Sequence, residues 1–225
     1  GSNKWQDFSE YHGGNLWVLV SEHFSDLDIE NKKFINEGNL FTFGDNTYGQ
    51  LGIGNDRVEL SFTHIPQRIL DIPLIDFISC GSNFTICITN DGRVYSFGSN
   101  KNGQLGLGIN IEVSTTPQLI VDLNDIEFIQ CGGYHTICKT YSNEYYSWGF
   151  NDFGQLGQGN NDEFNKPTKC LNWPENIIDI KCGTNHTLLL TCTGNVYSFG
   201  SNKYGQLGLN DKNIESINVP TLIKD

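Results

Sequence analysis

Two histidines and one glycine-rich loop hold the residue types in this chain that could do chemistry. His135 and His186 stand 51 residues apart, each preceded four residues earlier by a cysteine, Cys131 and Cys182. An imidazole serves as a general base or a metal ligand. The stretch YSFGSNKNGQLGLG, Tyr95 to Gly108, places four glycines in fourteen residues after an apolar, strand-like run. Loops of that kind cradle phosphates where they open a helix whose N-terminus faces the anion. No Gly-x-Ser-x-Gly elbow and no H-E-x-x-H motif accompanies these residues, which leaves imidazole chemistry and phosphate binding to be weighed.

Both readings weaken once internal repeats are aligned. YSFGSNKYGQLG recurs at Tyr197 to Gly208, YSWGFNDFGQLG at Tyr146 to Gly157, and FTFGDNTYGQLG at Phe41 to Gly52. Gln50, Gln104, Gln155 and Gln206 mark these loops at spacings of 54, 51 and 51. A second motif keeps step: CGSNFT from Cys80, CGGYHT from Cys131 and CGTNHT from Cys182, with a degenerate copy HGGNLW from His12. The position of His135 and His186 is Phe84 in one unit and Leu16 in another. A position that accepts Phe and Leu is a packing position, so the two imidazoles are read as core. A nucleotide site is needed once, and this loop occurs four times. Its order is G-x-x-G-x-G, and neither a P-loop Lys-Ser/Thr nor a helical pattern follows. The pairs Gly49 and Gly52, Gly103 and Gly106, Gly154 and Gly157, and Gly205 and Gly208 are read as turn formers. Asn46, Asn100, Asn151 and Asn202 suit Asx-type turns, Gln104 is expected to bond loop backbone, and Leu105 to plug an apolar edge. The loop then stitches the third strand of each unit to its fourth.

The elements around these motifs have the period of strands. IDFISC, IEFIQC and IIDIKC precede the C-G turn, FTICIT, HTICKT and HTLLLT follow it, and RVYSFG, EYYSWG and NVYSFG come next. Asp91-Gly92, Ser142-Asn143 and Thr193-Gly194 supply the left-handed residues of two-residue hairpins. Each unit closes on a proline-containing run, HIPQRIL, TTPQLIV, NKPTKCL or NVPTLIK. Proline cannot donate to a ladder, so this run is expected at the outer edge. Four strands in a period near 51 predict an all-β fold, a β-propeller of about four four-stranded blades over 4–71, 72–122, 123–173 and 174–225. The first unit alone carries an insertion, residues 22–37, polar and mixed in charge. Glu22, Asp26, Asp28, Lys32 and Lys33 within it are candidate partner contacts.

Composition narrows the partners. The 225 residues carry a net charge of −12 without a basic stripe, which argues against direct binding of nucleic acid or an anionic membrane and is compatible with a basic protein partner. No apolar run approaches the ~20 residues that span a bilayer. Seven cysteines, without a C-x-x-C pair, are read as reduced apolar fillers in an intracellular protein, cytoplasmic or nuclear, and no cofactor or metal is expected. A Gly1-Ser2 start and the lack of methionine are read as a segment of a longer polypeptide.

CGGYHT, a hairpin, YSWG and FGQLG at this period resemble the RCC1 (regulator of chromosome condensation) repeat, over nearly the whole chain. The resemblance implies a propeller whose members carry seven blades, so four units imply further blades elsewhere or self-association through open blade faces. It also implies roles in Ran GTPase exchange, in substrate recruitment beside ubiquitin-ligase modules, in ciliary scaffolds and in a plant ultraviolet receptor. The exchange factors place acidic and histidine side chains at the two variable positions of the C-G-x-x-H-T loop. Here those positions are Gly14 and Asn15, Ser82 and Asn83, Gly133 and Tyr134, and Thr184 and Asn185, none of them acidic or histidine. The receptor branch clusters tryptophan in G-W-R-H-T motifs, and Trp5, Trp17, Trp148 and Trp173 do not match; Trp148 aligns with Phe43, Phe97 and Phe199 as core. The resulting expectation is a non-enzymatic protein-interaction scaffold that presents loops on one face, with Asn15, Ser82, Asn83, Tyr134, Thr184, Asn185 and the insertion as contacts. The alternative is nucleotide exchange on a Ran-like GTPase.

Overall fold

The computed structural model describes residues 4–6, 16–21, 39–54, 61–70, 72–211 and 213–224, with side chains from residue 40 onward. Sixteen strands and no helix occur among them. They form four antiparallel four-stranded sheets, each a meander in chain order. The first holds β1 (Lys4–Gln6), β2 (Leu16–Ser21), β3 (Asn39–Asp45) and β4 (Phe62–Arg68). The second holds β5 (Ile75–Cys80), β6 (Phe84–Thr89), β7 (Val94–Ser99) and β8 (Val113–Leu119). The third holds β9 (Ile126–Cys131), β10 (His135–Thr140), β11 (Tyr145–Gly149) and β12 (Phe164–Lys169). The fourth holds β13 (Ile177–Cys182), β14 (His186–Thr191), β15 (Val196–Ser201) and β16 (Ser216–Leu222). The all-β propeller expectation stands.

The prolines explain the outer strands. Pro66, Pro117, Pro167 and Pro220 sit in β4, β8, β12 and β16, each at the end of its sheet. In every sheet the ladder between the third and fourth strands slips by a bulge, between Thr42 and Gly44, Ser96 and Gly98, Ser147 and Gly149, and Ser198 and Gly200. The proline falls inside the slipped segment, where no N–H is required.

Three apolar clusters lie where successive sheets pack. Leu40 and Leu51 of the first blade meet Ile75, Ile78 and Phe97 of the second. Phe84, Ile86 and Leu105 meet Ile126, Ile129 and Trp148 of the third. Ile137 and Tyr145 meet Ile180, Leu189 and Phe199 of the fourth. All six side chains of β6, and all six of β10, are buried. A strand covered on both faces needs no polar alternation, which is why FTICIT carries its apolar residues in nearly every register. The first strands lie innermost, with the Cys131 N–H donating to Ser79 Oγ at 2.9 Å across the junction of β5 and β9.

This topology sorts the connections to two ends. The C-G-x-x-H-T turns and the glycine-rich loops occupy one end, and the hairpins between second and third strands occupy the other. The insertion joins β2 to β3, so it leaves from the hairpin end. Its two attachment points, Ser21 and Asn39, pair with each other at the end of β2 opposite the C-G-x-x-H-T turn. Asn15, Glu22, Asp26, Asp28, Lys32 and Lys33 themselves lie outside the described residues.

Candidate functional site

At the loop end, the main chain of each glycine-rich loop is bonded chiefly to the protein itself. Within each glycine-rich loop the asparagine Oδ1 accepts the leucine N–H, from Asn46 to Leu51 (3.1 Å), Asn100 to Leu105 (2.9 Å), Asn151 to Leu156 (3.0 Å) and Asn202 to Leu207 (3.1 Å). Gln50, Gln104, Gln155 and Gln206 turn Oε1 inward to accept the N–H two residues back. The hydroxyls of Thr42, Ser96, Ser147 and Ser198 reach over to the carbonyls of Leu51, Leu105, Leu156 and Leu207. The N–H groups of the two glycines of each G-Q-L-G box bond within their loop, as Gly103 does to Asn100 O and Gly106 to Gly103 O. These main-chain donors are turned to the protein and form no nest for an anion, while Nε2 of Gln104 and of Gln155 lies buried without a partner.

The loops do more than join two strands of one blade. The carbonyl of Gln50 accepts the Thr85 hydroxyl (3.0 Å), that of Gln104 the Thr136 hydroxyl (3.1 Å) and the Trp148 indole N–H (2.9 Å), and that of Gln155 the Thr187 hydroxyl (3.0 Å). Farther out, the N–H groups of Gly54, Gly108 and Gly159 donate to Thr115, Asn165 and Asn218 of the next blade's fourth strand. The loop is a clasp between blades as well as a stitch within one. Sequence reasoning missed this because the partners stand in the next unit, 32 to 44 residues away for the glutamine carbonyls. It also missed Trp173, which stacks on Tyr145 at 5.5 Å, tilts against Phe199 and donates to Gly157 O at 3.1 Å.

The C-G-x-x-H-T histidines lie in the packing. A Cβ added at Gly81, Gly132 or Gly183 would fall about 2 Å from the ring of Phe84, His135 or His186, so the motif's glycine is the floor on which the ring rests. His135 is buried, with Nε2 3.2 Å from Thr187 Oγ1 in the next blade. Burial, and secondarily the proximity of His186, lowers its pKa to about 3. His186 is half-buried and its pKa is lowered by the same desolvation. An imidazole whose pKa is lowered in this way is a weak base and is read as a packed ring. The sign of the linkage follows. The unfolded chain takes up a proton at His135 near pH 6.5 and the folded one near 3, so stability is full above about 6.5 and falls as pH drops between those limits, by up to about 1.4 kcal/mol per unit. His135→Phe is expected to keep stability at pH 7 and flatten that acid slope, as measured by denaturant titration from pH 7 to pH 4; an unchanged slope would refute the assignment.

Six of the seven cysteines are poor nucleophiles. Burial raises the pKa of Cys131 and Cys170 to about 12 and pushes Cys80, Cys87, Cys138 and Cys182 upward too. All seven thiols are free, and Cys192 departs from the buried pattern by lying exposed. Among the described residues no group of His, Cys, Asp and Glu is placed to hold a metal, and no helix is long and apolar enough to cross a membrane.

The C-G-x-x-H-T turns form a tied row. The Ser82 N–H donates to Gly133 O (3.0 Å) and the Gly133 N–H to Thr184 O (3.1 Å), one blade to the next. The carbonyls of Asn83, Tyr134 and Asn185 accept from Ser99, Phe150 and Ser201 at 2.8–2.9 Å. The side chains of Asn83, Tyr134, Thr184 and Asn185 are half-buried, whereas Ser82 is buried and so is not a surface residue.

Comparison with known proteins agrees with this geometry. The RCC1-like domain family pattern matches residues 33–225. The human "Probable E3 ubiquitin-protein ligase HERC6" is 36% identical over 180 residues, covering 78% of this chain and 17% of that protein. Human WBSCR16 superposes with a TM-score of 0.75 at 18% identity, covering 93% of this chain and 51% of that one. Prp20p from Saccharomyces cerevisiae gives 0.68 at 20% identity, covering 83% and 48%. The chain thus spans about a sixth of the matched ligase and half of each solved structure. Four clasped blades, the repeated G-Q-L-G and C-G-x-x-H-T loops and the pattern match together place this chain in the RCC1-like domain family.

Proposed function

We propose that this chain is a protein-recognition scaffold that engages a partner through the row of C-G-x-x-H-T turns. The observation that carries the reading is the row itself: main-chain bonds fix its turns across three blades while Asn83, Tyr134, Thr184 and Asn185 keep part of their side chains in solvent. Such a surface is pre-ordered, so a partner pays little entropy to dock on it. Tyr134 is the aromatic able to serve as an anchor there. The net charge of −12 favours a basic partner, and the insertion between β2 and β3 would serve a further contact. Prp20p, whose fold this chain shares, has binding properties to Gsp1p and histones, which makes Gsp1p and histones suitable probes.

The second reading is nucleotide exchange on a Ran-like GTPase. The absence of acidic or histidine side chains at the variable loop positions of residues 82–83, 133–134 and 184–185 speaks against it. Release of a fluorescent GDP analogue from a panel of small GTPases is expected to show no acceleration; clear acceleration would replace the first reading. For the scaffold reading, Tyr134→Ala is expected to weaken binding of whichever probe is retained about tenfold or more, with the melting temperature unchanged. Equal affinity of Tyr134→Ala and wild type would remove this row from the interface.

A further inference from the structure

Where the second and third blades meet at the hairpin end, a cleft of about 260 Å³ opens. Its buried lining is apolar, Ile88 and Ile126 with the half-buried Phe77 beside them. Tyr141 stands at the rim, 69% exposed, and its N–H donates to Asp125 O at 3.0 Å. Four carboxylates line the same cleft, Asp76, Asp91, Asp125 and Glu127. Two of them are satisfied within the chain: Asp91 pairs with Arg93, and Glu127 with Lys139 Nζ at 2.7 Å. The side chains of Asp76 and Asp125 have no hydrogen bond or ion pair among the described residues. The third blade shows what the second lacks. Alignment at 51 residues sets Glu127 at the position of Asp76 and Lys139 at that of Ile88, and the ladders agree, with Phe77 opposite Ile88 and Phe128 opposite Lys139. In the third blade a lysine of the second strand, its side chain 11% exposed, neutralises the carboxylate at the start of the first. In the fourth blade both positions are apolar, Ile178 and Leu190. The scaffold thus takes an ion pair or an apolar pair there, and the second blade alone of these three holds the acid without the base.

We propose that this cleft is an interaction site for a lysine side chain of a basic partner protein. The ammonium group would take beside Asp76 and Asp125 the place that Lys139 Nζ takes beside Glu127. Its methylene stem would lie against Phe77 and Ile88, and the Tyr141 ring would face the cation. A second copy of this chain fits the cleft less well, because two molecules of net charge −12 repel. The cleft lies at the end of the blades opposite the C-G-x-x-H-T turns, so it stands independently of the role given to Tyr134.

The probe is a short fluorescein-labelled peptide of alternating lysine and alanine, followed by anisotropy at low salt. Wild type is expected to bind it. Asp76→Asn combined with Asp125→Asn is expected to weaken binding about tenfold or more, as loss of a charged hydrogen-bond partner does, and Tyr141→Ala about threefold. Asp152→Asn combined with Asp162→Asn removes the same charge from exposed positions at the loop end and is expected to leave affinity within about twofold. Ile88→Lys copies the third blade; it is expected to pair with Asp76 and close the cleft from within, abolishing binding while the melting temperature holds. Acetylation of the peptide lysines keeps the stem, removes the charge and is expected to abolish binding too. Equal losses from the two aspartate pairs would overturn the proposal by reducing the contact to diffuse charge. So would a wild type that ignores the peptide, binding of the acetylated form, or binding lost in Tyr134→Ala yet kept in the Asp76 and Asp125 variant. Dimers by light scattering that Asp76→Asn dissolves would overturn it as well, by assigning the cleft to a second copy.

Discussion

Trp148→Ala is expected to lower the unfolding free energy by about 4 kcal/mol, the cost of deleting a fully buried large aromatic. The indole is 0% exposed, lies at the junction of the second and third blades, and is packed under Gly106. Its N–H donates to the Gln104 carbonyl at 2.9 Å. Alanine would leave a void lined by Phe84, Leu105 and Ile129, residues drawn from both blades and unable to collapse without parting them. Trp148→Phe separates the two contributions. Phe97 and Phe199 occupy the equivalent positions, fully buried, at the other junctions, so phenylalanine fills the site. The Gln104 carbonyl keeps the Thr136 hydroxyl. The cost of Trp148→Phe is then about 1 kcal/mol, one hydrogen bond. Guanidinium unfolding of both variants measures the difference, and an alanine variant within about 1 kcal/mol of wild type would disprove the junction's role in holding the blades together.

Gly154→Ala and Gly205→Ala form the second test, because the two glycines share a backbone and differ in surroundings. Their φ values are 79° and 77°, left-handed in both cases, and alanine pays about 1–2 kcal/mol there. At Gly205 that is the whole cost. At Gly154 the new Cβ also lands 2.4 Å from Asn218 Cα, a backbone atom that cannot swing aside, and overpacking adds about 1–3 kcal/mol. Gly154→Ala is therefore expected to destabilise by about 2–5 kcal/mol and Gly205→Ala by about 1–2 kcal/mol. Equal costs would mean that the clasp between the third and fourth blades contributes nothing beyond turn geometry.

The fold was legible because its signal is repeated. A turn that recurs at 51 residues with a threonine, a glycine pair and a proline in phase leaves few architectures, and the outer position of the proline strands follows from one missing N–H. The packing of His135 and His186 was likewise readable from Phe84 in their place. The clasp was not, since Gln104 shows its meaning only when Thr136 and Trp148 of the next unit are set beside it. Ser82 reads as a polar turn residue, yet it is buried because its N–H is drawn toward Gly133 of the neighbouring blade. That the connection from β2 to β3 starts from the end opposite the C-G-x-x-H-T turns needed only the parity of a meander, in which successive connections alternate between the two ends of a sheet. That parity is present in the sequence and easily passed over.

The bonds from Ser82 to Gly133 and from Gly133 to Thr184 run through main chain alone. Their partners are therefore indifferent to which side chains stand at positions 83, 134 and 185, and the chain indeed sets Asn, Tyr and Asn on one shared backbone. Folding and recognition are in this way written in separate alphabets: the peptide groups fix where each turn sits, and the side chains remain free to be exchanged for whatever a partner demands.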